Sequence, residues 1–211
     1  MLIQGAIDVR ANYEGKPYRD AKHVGGPQLI PGKVMCAYYD LGGEGIAYHD
    51  ATAINQGSGR LNPADGTYLN EFRLHEGVDT SYTKPGGIDD SAYNLVQPEI
   101  GMPYVGWTEP GEWMNYTVEV ARAGIYLVHL LYASNRGGAV SLSVDGEAAA
   151  ELLEIASTYD AEDEVEWRQW HHWNKAERLT VLHLEKGVQV LTLRTVLEGQ
   201  MNYAYLEFEL L

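Results

Sequence analysis

The chain, 211 residues long, predicts an all-β fold, an antiparallel sandwich or jelly roll with long loops. Three observations predict it. "MNYTVEV", "IYLVHLLYA", "VSLSV", "LTVLHL", "VQVLTLR" and "YAYLEFELL" are rich in Val, Leu and Tyr, and several alternate with period two, the mark of a half-buried strand. Between them stand turn-forming runs such as "ARAG", "SNRGG", "DGE", "EKG" and "LEGQ". The aromatic set is skewed to amphipathic rings, 15 Tyr and 5 Trp against 2 Phe, as in β-rich proteins and binding surfaces.

Taken in order, Met1–Ile30 lacks steady periodicity and ends in the Gly- and Pro-bearing "HVGGPQLIPGK". It reads as an extended arm or linker packed on the side of one domain spanning 31–211. Strands begin at "KVMCAYYDL". Between Gly42 and Pro103 lies a long, polar, Gly-rich region that includes "TSYTKPGGIDDSAYN", and loops of such length are usually functional or flexible. "VDGEAAAELLEIAS" has helical composition, yet it opens on Asp145-Gly146, a hairpin signal, and is predicted as strand. "STYDAEDEVEWRQWHHWNKAE" is an acidic loop that then crowds three tryptophans together.

The formal net charge of -15 repels phosphate backbones and anionic lipid, which argues against nucleic-acid and membrane partners. Cys36 is the single cysteine, so there is no internal disulfide and no cysteine-only metal site. The opening "MLIQGAIDVR" reads as no signal peptide, and no apolar run has the length of a membrane helix. The expectation is a cytoplasmic chain or a piece of a longer secreted one.

Chemistry has few candidates. Trp107, Trp113, Trp167, Trp170 and Trp173 suit a pyranose ring, whose C–H face packs on an indole while polar neighbours bond its hydroxyls. Glu109 and Glu112 form the nearest carboxylate pair, but glycoside hydrolysis needs two carboxyls held across a cleft, which closeness in sequence does not supply. His171 and His172 are adjacent and point to opposite faces of an extended segment, so they read as polar rim residues rather than metal ligands. No HExxH, CxxC, calcium-loop, phosphate-loop or GxSxG motif occurs.

"GEGIAYHDATAINQGSGR", "EGVDTS", "VGWTEPGEWMNYTVEVARAGIYLVHLLYAS", "VSLSVDG" and "NYAYLEF" together resemble a family 6 carbohydrate-binding module, over about Pro31 to Leu211. The resemblance implies a β-sandwich of jelly-roll type, with long loops at one edge, attached to secreted enzymes that degrade polysaccharides. It implies a loop cleft in which Trp107 and a tryptophan of the later W-x-x-W loop sandwich a sugar while Asn202 bonds its hydroxyls. Both "WRQW" and "WHHW" fit that loop; Trp170 belongs to both and is preferred, with Trp167 and Trp173 as alternatives. Trp113 matches the ring of a second cleft on a sheet face, and is either that platform or a core-edge anchor. The family's structural calcium takes carboxylates from an E-A-E-x-Y-D segment after "IPG" and from an acid two places after the matched Asn. Met35, Ala37 and Ala204 stand there instead, so no calcium is expected at that place unless Asp40 or Glu207 serves.

The function these readings predict is non-catalytic binding of a polysaccharide or oligosaccharide, holding a covalently linked glycoside hydrolase near its substrate outside the cell or in the periplasm. The rivals are a hydrolase or lyase on the same sandwich, and a structural or interaction domain that has lost its sugar.

Overall fold

Period-two alternation builds the long strands, because every second side chain of a strand reaches one face. In the computed structural model, which describes residues 12–211, the strands are β1 (Gln28–Ile30), β2 (Gly32–Met35), β3 (Tyr48–His49), β4 (Ser58–Gly59), β5 (Asn62–Pro63), β6 (Thr80–Tyr82) and β7 (Pro103–Val105). The long strands follow: β8 (Trp113–Val120), β9 (Gly124–Ser134), β10 (Gly138–Val144), β11 (Glu147–Ile155), β12 (Asn174–Leu184), β13 (Gly187–Leu197) and β14 (Met201–Leu210). The six segments read as strands lie in β8, β9, β10, β12, β13 and β14.

Two sheets form a sandwich. One has the order β1-β8-β13-β10-β11, with β3 also on β8; the other has the order β12-β9-β14-β7-β6, with β2 also on β14. From β8 onward the chain crosses repeatedly between sheets, so β8 finds its antiparallel partner in β13, with Trp113 opposite Arg194. The exception is the β10–β11 hairpin, where Asp145 and Gly146 both have positive φ (51° and 80°). Two successive left-handed residues suit the tight turn that matches strand twist, and that local geometry outweighs the helical composition of "EAAAELLEI".

The core lies between the sheets. Met114, Tyr116, Val118 and Val120 of β8, with Leu191 and Leu193 of β13, meet Tyr126, Val128, Leu130 and Tyr132 of β9 and Leu206 and Phe208 of β14. A second apolar cluster lies on the other face of β9 and β14: Leu131, Ala133, Ala204 and Tyr205 under Met102, Tyr104 and Trp173. The segment between β6 and β7 covers that face and is pinned where Leu95 and Val96 donate to the Trp173 carbonyl at 2.9 and 3.1 Å. β9 is thus buried on both faces at one end, which explains why its residues are buried without interruption from Tyr126 to Ser134.

Of the expected arm, Met1–Ala11 lies outside the described residues. Further along, Lys16 exchanges backbone hydrogen bonds with Leu41 at 2.8 and 2.7 Å, and Tyr18 stacks on Tyr38. Gln28–Ile30 runs parallel to Val118–Val120 as β1, so the first sheet begins before the boundary expected after residue 30.

Leu130→Ala should cost about 3 kcal/mol in denaturant unfolding, since it opens a cavity between the sheets. Val181→Thr, at a side chain 51 % exposed, should stay within about 0.5 kcal/mol.

Candidate functional site

Long loops converge beside β7 and the start of β14, and Trp107 is their meeting point. It follows β7 with φ of 50°, a left-handed conformation that a bulky residue rarely adopts unaided. Two hydrogen bonds hold it. Gly106 donates its N–H to the Asp79 carbonyl at 2.9 Å, and Trp107 donates its own to Asn202 Oδ1 at 3.1 Å. A Cβ on Gly106 would stand 2.9 Å from that same oxygen, so only glycine lets the amide approach.

Behind Trp107 the polar groups form a directed chain. Asp89 Oδ1 lies 2.6 Å from His171 Nε2 and accepts Trp173 Nε1–H at 2.8 Å. A carboxylate only accepts, so His171 donates from Nε2 and its Nδ1 is left to accept the Asn202 Nδ2–H at 2.8 Å. The Asn202 oxygen is thereby turned toward the Trp107 N–H. Asp89 Oδ2 accepts the Lys84 N–H at 2.8 Å. One buried carboxylate therefore ties together the loop that carries it, the Trp-rich loop and, through two intermediaries, the backbone of Trp107.

A second buried acid shapes the Trp-rich loop. Asp163 takes a bidentate pair from Arg168 (2.6 and 2.7 Å) and faces His172 Nε2 at 2.9 Å. Arg168 also donates to the Gly87 carbonyl, and the His172 ring stacks on Tyr93 at 5.3 Å. The Arg168 hydrogen bonds, first of all, hold the Asp163 carboxyl well below the usual carboxylate range. Thr158 Oγ1 donates to the Trp170 carbonyl at 2.8 Å, fixing the far end of the loop.

Between these loops opens a cleft of about 590 Å³, lined by Leu61, Lys84, Tyr104, Trp107, Trp167 and Trp170. Trp107 and Trp170 are half-buried and Trp167 is 56 % exposed. Trp170 stands edge-on to His171, with centroids 5.5 Å apart. Three indoles and a phenol on an open cleft, with a lysine and a buried acid at its wall, can hold a flat ligand that has apolar faces and a polar edge.

Trp107 and Trp170, the expected pair, share this cleft, and Trp167 joins them. Asn202 does not line it: the residue is fully buried, its oxygen accepts the Trp107 N–H and its amide donates to His171, so here it braces Trp107 from beneath. Trp173 is fully buried in the second apolar cluster, with its N–H on Asp89. Trp113 lies elsewhere, because alternation along β8 sends Met114 into the core and Trp113 to the outer face of the first sheet, 6.5 Å from His49. His171 and His172 do point to opposite sides, but both are buried struts and not rim residues. Tyr104, Leu61 and Asp89 are lining residues that no motif singled out; the unexplained length of the loops around them was the available signal.

Of the Glu109–Glu112 pair, only the Glu112 carboxylate is engaged in structure, while the Glu109 side chain is exposed. Glu112 accepts the Glu109 N–H at 2.7 Å and the Ala51 N–H at 3.1 Å, and burial pushes its carboxyl up to about 7. The calcium position also has other occupants. Met35 packs against the second apolar cluster, which contains Ala204, and Ala37 belongs to the main core. None of the three offers a side-chain oxygen, so this place does not fit a calcium ion. Asp40 is held by Thr117 and Tyr13 (2.6 to 2.8 Å), and Glu207 by Lys175 at 2.6 Å.

A carboxylate whose folded pKa is depressed adds stability above its unfolded value, about 4, and loses it as pH falls toward the folded value. The melting midpoint should therefore drop as the solution is acidified below that point. Asp163→Asn should lower the midpoint at neutral pH and make the acid drop shallower; an unchanged profile would mean that Asp163 does not hold the loop.

Comparison with known proteins agrees with this architecture. The family model for carbohydrate binding module (family 6) matches residues 80–210. Among solved structures, the chain is similar to the module CsCBM6-3 from Clostridium stercorarium in complex with cellobiose, at 14 % identity and a TM-score of 0.52, over 89 % of this chain and 100 % of that one. It is also similar to a glycoside hydrolase family 43 arabinoxylan arabinofuranohydrolase from Bacillus subtilis in complex with cellotetraose, at 16 % identity and a TM-score of 0.51, over 91 % of this chain and 30 % of that one. No curated protein matches significantly. Those identities carry the sandwich fold, and the family match covers more than half the chain. The chain belongs to family 6 of the carbohydrate-binding modules, a family of non-catalytic sugar-binding domains.

Proposed function

We propose that this module takes its glycan in the cleft between Trp107 and Trp170 and keeps a linked glycan-degrading enzyme near its polysaccharide. The observation that carries the reading is the preset platform: Trp107 is fixed in an unusual backbone conformation by buried partners, with Trp167 and Trp170 lining the same cleft. Rings fixed before the ligand arrives lose little freedom on binding, so stacking contributes more of its free energy. Affinity should still be modest, because one open cleft covers few sugar units. Tethering makes modest affinity enough, since it raises the local concentration of substrate around the enzyme. Attachment to a hydrolase and action outside the cell are part of the same proposal; the similar arabinofuranohydrolase chain is much longer than its matched part.

Affinity electrophoresis or calorimetry against a panel of polysaccharides tests the site. Trp107→Ala should weaken binding by about 1 to 3 kcal/mol, the free energy of covering one large ring. Trp113→Ala, on the sheet face, should leave affinity within about twofold, a change of less than 0.5 kcal/mol. A loss with Trp113→Ala alone would move the ligand to that face. Reducing ends should not be released from any polysaccharide that binds.

A further inference from the structure

Trp107 and Leu61 also belong to a second, separate cleft of about 670 Å³, which opens toward the β13–β14 connection. Its polar walls are Gln56, Asp79, Glu109, Arg136, Glu198 and Gln200. Three carboxylates face one guanidinium, and that guanidinium is on an exposed side chain. Asp79 is the unusual member. It is only 8 % exposed, its Oδ1 accepts the Gln56 N–H, and its Oδ2 has no hydrogen-bond partner among the described residues. Burial pushes this carboxyl up to about 7, and the nearby charges of Asp50 and Glu109 push the same way against the pull of Gln56 and Arg60. A buried acid beside other acids costs free energy unless a positive group pairs with it.

We propose that this cleft is a second sugar subsite, joined to the first across Trp107, that takes a sugar bearing a free amino group, with Asp79 as the counter-ion of its ammonium. The inference rests on the glycan-binding reading above. Trp107 supplies apolar contact for the ring, Gln56 and Gln200 suit its hydroxyls, and Glu109 and Glu198 add to the field that attracts the cation. Anionic sugars meet the wrong sign of charge here. A neutral sugar brings no positive charge to the carboxylates of this cleft. A bare metal ion has too few ligands, since no cluster of three or more His, Cys, Asp or Glu suited to a metal occurs among the described residues.

Calorimetry at about physiological ionic strength, where long-range charge attraction is screened, separates the cases. The probes are a fully deacetylated chito-oligosaccharide, its N-acetylated counterpart, a cello-oligosaccharide of equal length and a lysine oligopeptide of equal charge, at a pH where the sugar amine is protonated. The deacetylated sugar should bind about tenfold more tightly than either neutral one, a difference of 1.4 kcal/mol. Asp79→Asn, which keeps an oxygen for the Gln56 N–H, should abolish that preference and leave the neutral sugars unaffected. Glu198→Gln, at an exposed residue, should reduce it in part, and neither variant should melt below the wild type. Equal affinity for the three sugars, a preference that survives Asp79→Asn, or equal binding of the peptide would overturn the subsite while leaving glycan binding by the module intact. Failure of every sugar to bind would overturn both.

Discussion

The buried carboxylate of Asp89 is the constraint on which the loop end of this sandwich depends. An ionised or strongly polar group inside a protein must have its hydrogen bonds satisfied. Asp89 meets that demand with partners from separate parts of the chain: Lys84 in its own loop, and His171 and Trp173 in the Trp-rich loop just before β12. Two loops of low intrinsic order are thereby held to one geometry. Because a carboxylate accepts and never donates, it also sets the direction of each bond behind it, through the imidazole and the Asn202 amide to the backbone of Trp107.

That direction connects structure to function. Side chains that bind sugar must be exposed enough to meet it and rigid enough not to lose entropy when they do, and these needs conflict on a loop. Here the rings are on loops and their rigidity comes from buried polar struts below. Asp89 and Asp163 each take a bidentate or forked set of donors, and each pairs with one of two adjacent histidines pointing to opposite sides. Asp89, Asp163, His171 and His172 thus brace the loops that carry the tryptophans.

The first sheet and the second sheet play different parts. The outer face of the second is covered by the β6–β7 segment and Trp173, which provides the floor against which the loops are built. The outer face of the first remains uncovered around Trp113, Asn115 and Arg194, and its residues are bonded along the sheet, as where Thr192 donates to Asn115 at 2.6 Å. A single chain thus keeps one side as scaffold and concentrates its aromatic clefts at the loop end.

The strand content, the Asp145-Gly146 hairpin and the family were legible in the sequence, because period-two burial and turn chemistry are local properties that a few neighbouring residues decide. That Trp107 and Trp170 line one cleft agrees with the expectation drawn from the family resemblance. The role of Asn202 was not legible. Its residue type suits either bonding a sugar or bracing a backbone, and only the approach of His171, 31 residues away in the chain, turns its oxygen to the Trp107 N–H. The same holds for Asp89, Asp79 and the histidine pair. Whether a polar side chain is a surface group, a strut or a site depends on its burial and on partners distant in sequence, and those are set only when the sheets pack and the loops close over them.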